Sequence, residues 1–134
     1  MTLDDDVRRL ATSTALATVV TQMPDGSFQA LPLWVDCDES HILINTEPQR
    51  QRAKNLERNP AMTVLIVSKE SDWDWVEVRG VVTESVSGQA ARDHIDALSR
   101  RYLGVDYPNQ VGPQGRIIYK LSPTKVNSPR RMGR

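Results

Sequence analysis

The sequence predicts a mostly β fold, a small closed or split barrel of about six to seven mainly antiparallel strands with a few short helices. Short runs of β-branched and apolar residues alternate with turn signals along most of the chain, and few segments show helical spacing of apolar residues. The length of 134 residues fits a single domain. We expect it to span residues 1–134, with an N-terminal helix over 1–10 and a C-terminal tail over 124–134.

The first half of the chain is predicted to be a helix followed by three strands in a meander. Leu3, Val7 and Leu10 have the spacing of one face of a short amphipathic helix. The strands are expected over 15–20, 28–35 and 41–46. Pro24-Asp25-Gly26 is a hairpin turn signal between the first two strands, and a second turn is expected before the third. Pro32 lies within the second strand and cannot donate a ladder hydrogen bond, so it requires an edge, a bulge or a ligand-facing gap.

The second half is predicted to contain a short basic helix, two strands, a longer helix and a last strand. The strands are expected over 62–67, 73–83 and 116–121. The longer helix follows Gly88, and its apolar stripe consists of Ala91, Ile95, Leu98 and Tyr102. A loop rich in Gly, Pro and Asn separates that helix from the last strand.

Composition disfavours several classes of function. Seventeen Lys and Arg balance seventeen Asp and Glu, so general nucleic-acid binding is not expected. No apolar run approaches the roughly 20 residues that span a membrane, and the N-terminus carries no signal sequence. We therefore expect a cytoplasmic protein without a membrane partner. The single cysteine, Cys37, and the two histidines, His41 and His94, show no metal-ligand spacing and no nucleophile turn. No metal site and no catalytic side chain are predicted.

The segment between the third and fourth strands carries four cations, Arg50, Arg52, Lys54 and Arg58. Helical spacing places Arg50, Lys54 and Arg58 along one face and Arg52 on the opposite side, next to the apolar Leu56. A cation held beside a sheet near a helix N-terminus favours binding of a phosphate or carboxylate. The alternative is a solvated surface helix with ordinary ion pairs, which best explains Arg58.

These features in this order resemble the pyridoxamine 5′-phosphate oxidase-like split-barrel superfamily. The matching segments are Asp25-Gly26, Pro32-Leu33-Trp34-Val35, Ile44-Asn45-Thr46, Asn55-Leu56 with Asn59-Pro60, and Trp75-Val76-Glu77-Val78-Arg79-Gly80. Within the superfamily, the chain resembles the small actinobacterial deazaflavin-dependent reductases. The resemblance covers the chain from about residue 10 to residue 125.

The resemblance implies a homodimer that binds two cofactors at its interface. The cofactor would be coenzyme F420 or, as in sister groups, FMN. The implied cofactor-binding residues are Pro32, Leu33, Trp34, Asn45, Thr46, Arg50, Arg52, Lys54 and Trp75. By position, the three cations would hold phosphate or carboxylates, the Asn-Thr pair would contact the ribityl chain or phosphate, and the Pro-Leu-Trp segment would line the ring. Trp75 would lie near the ring face, with core packing as the alternative.

The chain also departs from the classical FMN oxidases of the superfamily. The segment 29–33 carries no arginine, no serine precedes the basic helix, and neither histidine fits a C-terminal Arg-x-His pattern. We therefore expect an F420-dependent oxidoreductase that transfers hydride from the reduced deazaflavin to a small conjugated or quinone-like acceptor. The alternatives are an FMN-binding reductase or oxidase of the same fold, and a non-catalytic carrier of F420 or flavin. The basic tail could cross to the partner's cofactor or remain solvated.

Overall fold

The computed structural model describes residues 2–131. The helices are α1 Asp5–Ala11, α2 Gln51–Arg58 and α3 Gln89–Leu103. The strands are β1 Ala17–Gln22, β2 Phe28–Leu33, β3 Asp36–Cys37, β4 Ile42–Thr46, β5 Ala61–Val67, β6 Trp75–Ser87 and β7 Ile117–Asn127. In the part of the chain that the structure describes, no helix is both long enough and apolar enough to cross a membrane.

One sheet contains all of these strands, in the order β2-β1-β5-β6-β7-β4-β3. Each neighbouring pair is antiparallel. The prediction of a mostly β fold with antiparallel strands and short helices is therefore confirmed. The main core lies on one side of the sheet, where α1 and α2 cover apolar side chains of the central strands. Its largest fully buried members include Leu10, Ile42, Ile44, Ile66 and Leu121. A smaller buried cluster of Leu43, Ala91 and Ile118 joins α3 to β4 and β7.

Strand β2 lies at the edge of this sheet, and this position explains Pro32. Pro32 pairs with Thr18 of β1, and its other side faces no strand of the described chain. The hairpin that joins the two strands turns at Gly26, which has a φ of 89°, a conformation open to glycine at no steric cost. The predicted hairpin is confirmed, and of the three settings expected for Pro32 the structure shows a strand at the edge of the sheet.

Strands β6 and β7 are longer than the sequence pattern predicts. They pair with each other from Glu77↔Asn127 to Ser87↔Ile117, with register shifts at Arg79/Gly80 and Val82/Glu84. The predicted limits of 73–83 and 116–121 are wrong chiefly at the C-terminal ends, because mostly polar residues paired with the other strand continue β6 to Ser87 and β7 to Asn127. Strand β6 also begins at Trp75 rather than at residue 73. The segment 124–127, predicted to begin a tail, belongs to β7.

The described end of the chain returns to the first helix. Arg131 Nη2 lies 2.7 Å from Asp4 Oδ2, and Arg130 Nη2 lies 3.6 Å from Asp6 Oδ2. Asp4 also caps α1, since its Oδ1 accepts a hydrogen bond from the Asp6 backbone N–H at 2.9 Å. The rest of the predicted tail, residues 132–134, and the first residue of the predicted N-terminal helix lie outside the described residues.

Candidate functional site

A groove of about 310 Å³ opens between the end of β2, the end of β4, helices α2 and α3, and the loop before β7. Five of the predicted site residues line it, namely Pro32, Leu33, Trp34, Asn45 and Arg52. They come from three separate segments of the sequence. We call this cavity the Arg52 groove.

Arg52 is the cation of α2 that faces this groove. It is half-buried, and its Nε is buried without a hydrogen-bond partner. Burial lowers the pKa of the Arg52 guanidinium, and repulsion from Arg50 and Arg116 lowers it further. A half-buried cation with an unused donor and two cationic neighbours is a favourable partner for an anion.

Arg116, which the sequence analysis took only as the start of a strand, supplies a second cation to the groove. Its side chain is 7% exposed. Its Nε donates to Asn45 Oδ1 at 2.8 Å, and its Nη2 donates to the Asn45 backbone oxygen at 3.2 Å. Nη1 lies 3.6 Å from Glu47 Oε1. Burial lowers the pKa of Arg116, although Tyr107 and Glu47 act in the opposite direction. The guanidinium is thus fixed in place rather than solvated.

Two aromatic side chains, Trp34 and Tyr107, also line the groove, and the Tyr107 ring centroid lies 5.2 Å from the guanidinium carbon of Arg116. The rings of Trp34 and Tyr102 stack with centroids 5.2 Å apart and planes 12° apart, and Tyr107 meets Trp34 edge-on at 6.4 Å. The Tyr102 hydroxyl donates to the Ala15 backbone oxygen at 2.7 Å and accepts from the Val35 N–H at 3.3 Å. These bonds hold Tyr102 in position, so the indole is packed against a fixed ring. The indole offers a flat apolar surface in the same groove as two cations.

The structure places the other four predicted residues outside the groove lining. Thr46 is fully buried, and its Oγ1 has no hydrogen-bond partner. Arg50 and Lys54 are exposed, and Arg50 Nη2 pairs with Glu47 Oε1 at 3.2 Å. Trp75 is half-buried in a different recess, beside Asp74 and Arg130.

Sequence reasoning missed several residues that line the groove. They are Leu16, Ile95, Leu98, Tyr107, Asn109 and Arg116. One feature of the sequence could have pointed to Arg116. It is a charged residue between a loop and the apolar start of a strand. Tyr107 was an aromatic residue in a loop otherwise rich in Gly, Pro and Asn. Arg116 comes close to Asn45 because β4 pairs with β7, with Thr46 opposite Ile117.

A larger cavity of about 730 Å³ lies between the N-terminal segment and β7. Its charged lining includes Asp4 and Arg131, which neutralise each other at 2.7 Å. Lys125, the other lysine or arginine of this lining, is exposed, unlike the half-buried Arg52. Across residues 2–131, no cluster of three or more His, Cys, Asp or Glu side chains could hold a metal ion.

The sequence profile for pyridoxamine 5′-phosphate oxidase matches residues 3–128. The chain belongs to this family. The pyridoxamine 5′-phosphate oxidase family includes oxidoreductases, and its fold binds flavin-type cofactors. A comparison with curated protein sequences gives no match.

Solved structures show the fold of this family member independently. An F420 reductase superposes with a TM-score of 0.75 at 22% identity, covering 93% of this chain and 98% of the other. A conserved hypothetical protein from Mycobacterium tuberculosis gives 0.73 at 21% identity, covering 100% and 89%. A heme binding protein from Mycobacterium smegmatis gives 0.65 at 22% identity, covering 91% of this chain and 51% of the other. The predicted split-barrel fold is confirmed.

Proposed function

We propose that the protein is a cytoplasmic oxidoreductase that binds coenzyme F420 in the Arg52 groove and reduces a small conjugated or quinone-like acceptor. The observation that carries this proposal is the pair of arginines at one end of the groove. Arg52 retains a buried, unpartnered Nε, and Arg116 is almost fully buried beside it. The similarity to an F420 reductase over nearly the whole chain supports the choice of cofactor.

The side chains of the groove fit an anionic cofactor tail. Burial lowers the pKa of both Arg52 and Arg116, which means that neither charge is fully compensated by the protein. Glu47 lies 3.6 Å from one Arg116 nitrogen and also pairs with Arg50. A phosphate or carboxylate placed between the two guanidinium groups would accept charge-assisted hydrogen bonds and offset the cost of their burial.

The segment 32–34 fits the ring of such a cofactor. Pro32 and Leu33 end an edge strand, which pairs with β1 on one side, and no strand within residues 2–131 pairs with its other side. Trp34 is held against Tyr102 and offers an aromatic surface for stacking. When bound, reduced F420 supplies the hydride, and the chain binds, orients and shields the cofactor. We name no side-chain base, since hydride transfer itself requires none.

We further propose that a second copy of the chain completes the site. The groove, at about 310 Å³, lies at the small end of the roughly 300–1,000 Å³ of ligand pockets. The neighbouring edge strand exposes Phe28, which is 71% accessible, and an unpaired strand edge is a surface that pairing or burial stabilises. Trp75, remote from the Arg52 groove of its own chain, would then be free to approach the cofactor of the partner.

The first test is cofactor binding by protein produced in a host that makes F420. We expect the purified protein to show deazaflavin absorbance, and titrated F420 to lose fluorescence on binding. Arg52→Ala should weaken binding by about tenfold or more, because a charge-assisted bond at a half-buried site is lost. Lys54→Ala on the same helix is the matched control and should stay within about twofold. Equal losses in the two variants would contradict the site, and a flavin spectrum instead of a deazaflavin would favour the FMN alternative.

The second test separates an enzyme from a carrier. Oxidation of reduced F420 is followed against quinones, enones and tetrapyrroles, with the Arg52→Ala variant as the background. Turnover of one acceptor class that depends on Arg52 would support the reductase. Tight binding without turnover across the panel would favour the carrier.

A further inference from the structure

A chain of four polar side chains runs from the Arg52 groove into the protein. Arg116 Nε donates to Asn45 Oδ1 at 2.8 Å, and Asn45 Nδ2 lies 3.0 Å from His94 Nδ1. His94 Nε2 lies 3.0 Å from Asp36 Oδ2. The four residues come from the start of β7, from β4, from α3 and from β3, so the chain connects separate elements of the fold.

The groups at either side of Asn45 fix the orientation of its amide. A guanidinium can only donate, so the oxygen of Asn45 must face Arg116. A backbone carbonyl can only accept, and the Asn45 Nδ2 donates to the Ala91 oxygen at 2.9 Å. A flipped amide would set its NH₂ group against Arg116 and its oxygen against that carbonyl. Because Asn45 is 6% exposed, water could not compensate for either mismatch.

The fixed amide determines the protonation state of His94. Its Nδ1 faces an NH₂ group and must therefore accept, which leaves the proton on Nε2, where it donates to Asp36. A proton on Nδ1 would place two donors 3.0 Å apart. His94 is thus held as the neutral Nε2–H tautomer by the same contacts that hold Arg116.

Asp36 lies at the end of this row of four side chains, and its surroundings have opposing effects on its pKa. Asp36 also accepts from Arg101 Nη1 at 3.2 Å, and Arg101 Nη2 donates to the Val35 backbone oxygen. Burial raises the pKa of Asp36, but hydrogen bonds from His94 and the Cys37 backbone, with the charge of Arg101, hold it below its usual range. The Asp36 carboxylate therefore stays charged and accepts the hydrogen bond from His94 Nε2.

We infer that His94 is a positioning residue for Arg116, acting through Asn45. By accepting from Asn45 Nδ2, His94 adds to the contacts with Arg116 and the Ala91 oxygen that keep the amide oxygen of Asn45 turned toward the guanidinium. The bond from that oxygen helps to hold Arg116 at the groove. The positioning of Arg116 by His94 is inferred from contacts within the protein. Its consequence for cofactor binding rests on the function proposed above.

Nitrogen NMR of the imidazole and arginine side chains tests the positioning without any ligand. In the wild-type chain near pH 7.5 we expect His94 with an unprotonated Nδ1 and a protonated Nε2. The Arg116 Nε–H should exchange slowly with water. A proton on Nδ1, or a rapidly exchanging Arg116 Nε–H, would overturn the inference.

Two variants separate positioning from a general contribution to folding. His94→Asn keeps an acceptor near the position of Nδ1 and should leave Arg116 Nε–H protected, whereas His94→Leu removes the acceptor and should expose it. Exposure of the Arg116 Nε–H in His94→Leu supports the inference, and unchanged protection contradicts it. If His94→Leu does not fold, the tautomer of wild-type His94 and the exchange rate of the wild-type Arg116 Nε–H still test the inference.

Titration with F420 tests whether the positioning of Arg116 affects cofactor binding. We expect His94→Leu to weaken binding on the order of tenfold and His94→Asn to stay within about twofold. If F420 fails to bind while the NMR results hold, the proposed function fails and the positioning stands. Equal F420 affinities for the wild type, His94→Leu and His94→Asn would show that the positioning of Arg116 by His94 does not contribute to cofactor binding.

Discussion

Arg52 and Arg116 line one groove from different elements, and burial lowers the pKa of both guanidinium groups. Their situations differ in one respect. Arg116 donates two hydrogen bonds to Asn45, whereas the buried Nε of Arg52 has no partner. Arg116 is therefore bound to other groups of the protein, whereas Arg52 retains hydrogen-bonding capacity. This difference predicts opposite effects on the stability of the chain without ligand.

Replacement of Arg52 by methionine should stabilise the protein while it removes ligand binding. Methionine has a similar helix propensity to arginine and fills similar space without burying an uncompensated charge. We expect the free energy of unfolding without cofactor to rise by about 1 kcal/mol. Urea unfolding measures the stability, and the F420 titration measures the loss of cofactor affinity. A clear loss of stability would show that Arg52 is structural.

Replacement of Arg116 by alanine should weaken both stability and binding. The change leaves the Asn45 Oδ1 and backbone oxygen without their donor in a buried site. We expect unfolding to become easier by about 1–3 kcal/mol, together with loss of F420 affinity. Arg79→Ala is the control, because Arg79 is exposed and its side chain, among the described residues, bonds to Glu77 alone. It should change stability by less than about 1 kcal/mol.

The sequence predicted those parts of the fold whose signal is local. The spacing of Val7 and Leu10 indicated α1, and the Pro24-Asp25-Gly26 turn between two apolar runs indicated the β1–β2 hairpin. Helical geometry alone separated Arg52 from Lys54, since the two lie on different sides of α2. Each of these inferences depends on residues within a few positions of one another.

The features of the fold and of the groove that the sequence did not reveal depend on strand pairing between residues distant in sequence. Arg116 meets Asn45 only because β7 pairs with β4, which places Ile117 opposite Thr46. The alternation in β6 placed Trp75 on the face opposite Val76, but it could not show which element that face meets. The ends of β6 and β7 are mostly polar and carried no clear apolar pattern. The end of β6 pairs with the start of β7, and the end of β7 pairs with the start of β6, so both ends are held by residues distant in sequence.

Gly80 allows β6 to approach β7 more closely than any side chain would permit. A Cβ at this position would lie 2.1 Å from the Ser122 backbone oxygen, so Gly80→Ala must shift the paired strands. We expect a loss of about 2 kcal/mol or more in the free energy of unfolding. Gly26→Ala is the control: its Cβ meets nothing within 4 Å, and it bears only the cost of its positive φ, about 1 kcal/mol. A smaller effect at Gly80 than at Gly26 would contradict the close approach.

Asp38 should make the stability of the protein depend on pH in acid. Burial raises the pKa of its carboxyl, but this is outweighed by hydrogen bonds from the Ser40 and His41 backbone, the His41 ring and Lys120, and the pKa falls to about 2 from an ordinary 3.8. A carboxyl whose pKa is lower in the folded state stabilises that state above its unfolded pKa and loses the effect as pH falls through the folded one. The loss should therefore occur between about pH 4 and pH 2. Asp38→Asn keeps an acceptor for the backbone N–H groups but cannot titrate. Urea unfolding across this range should show a steeper decline for the wild type than for Asp38→Asn, and parallel declines would rule out Asp38 as the source.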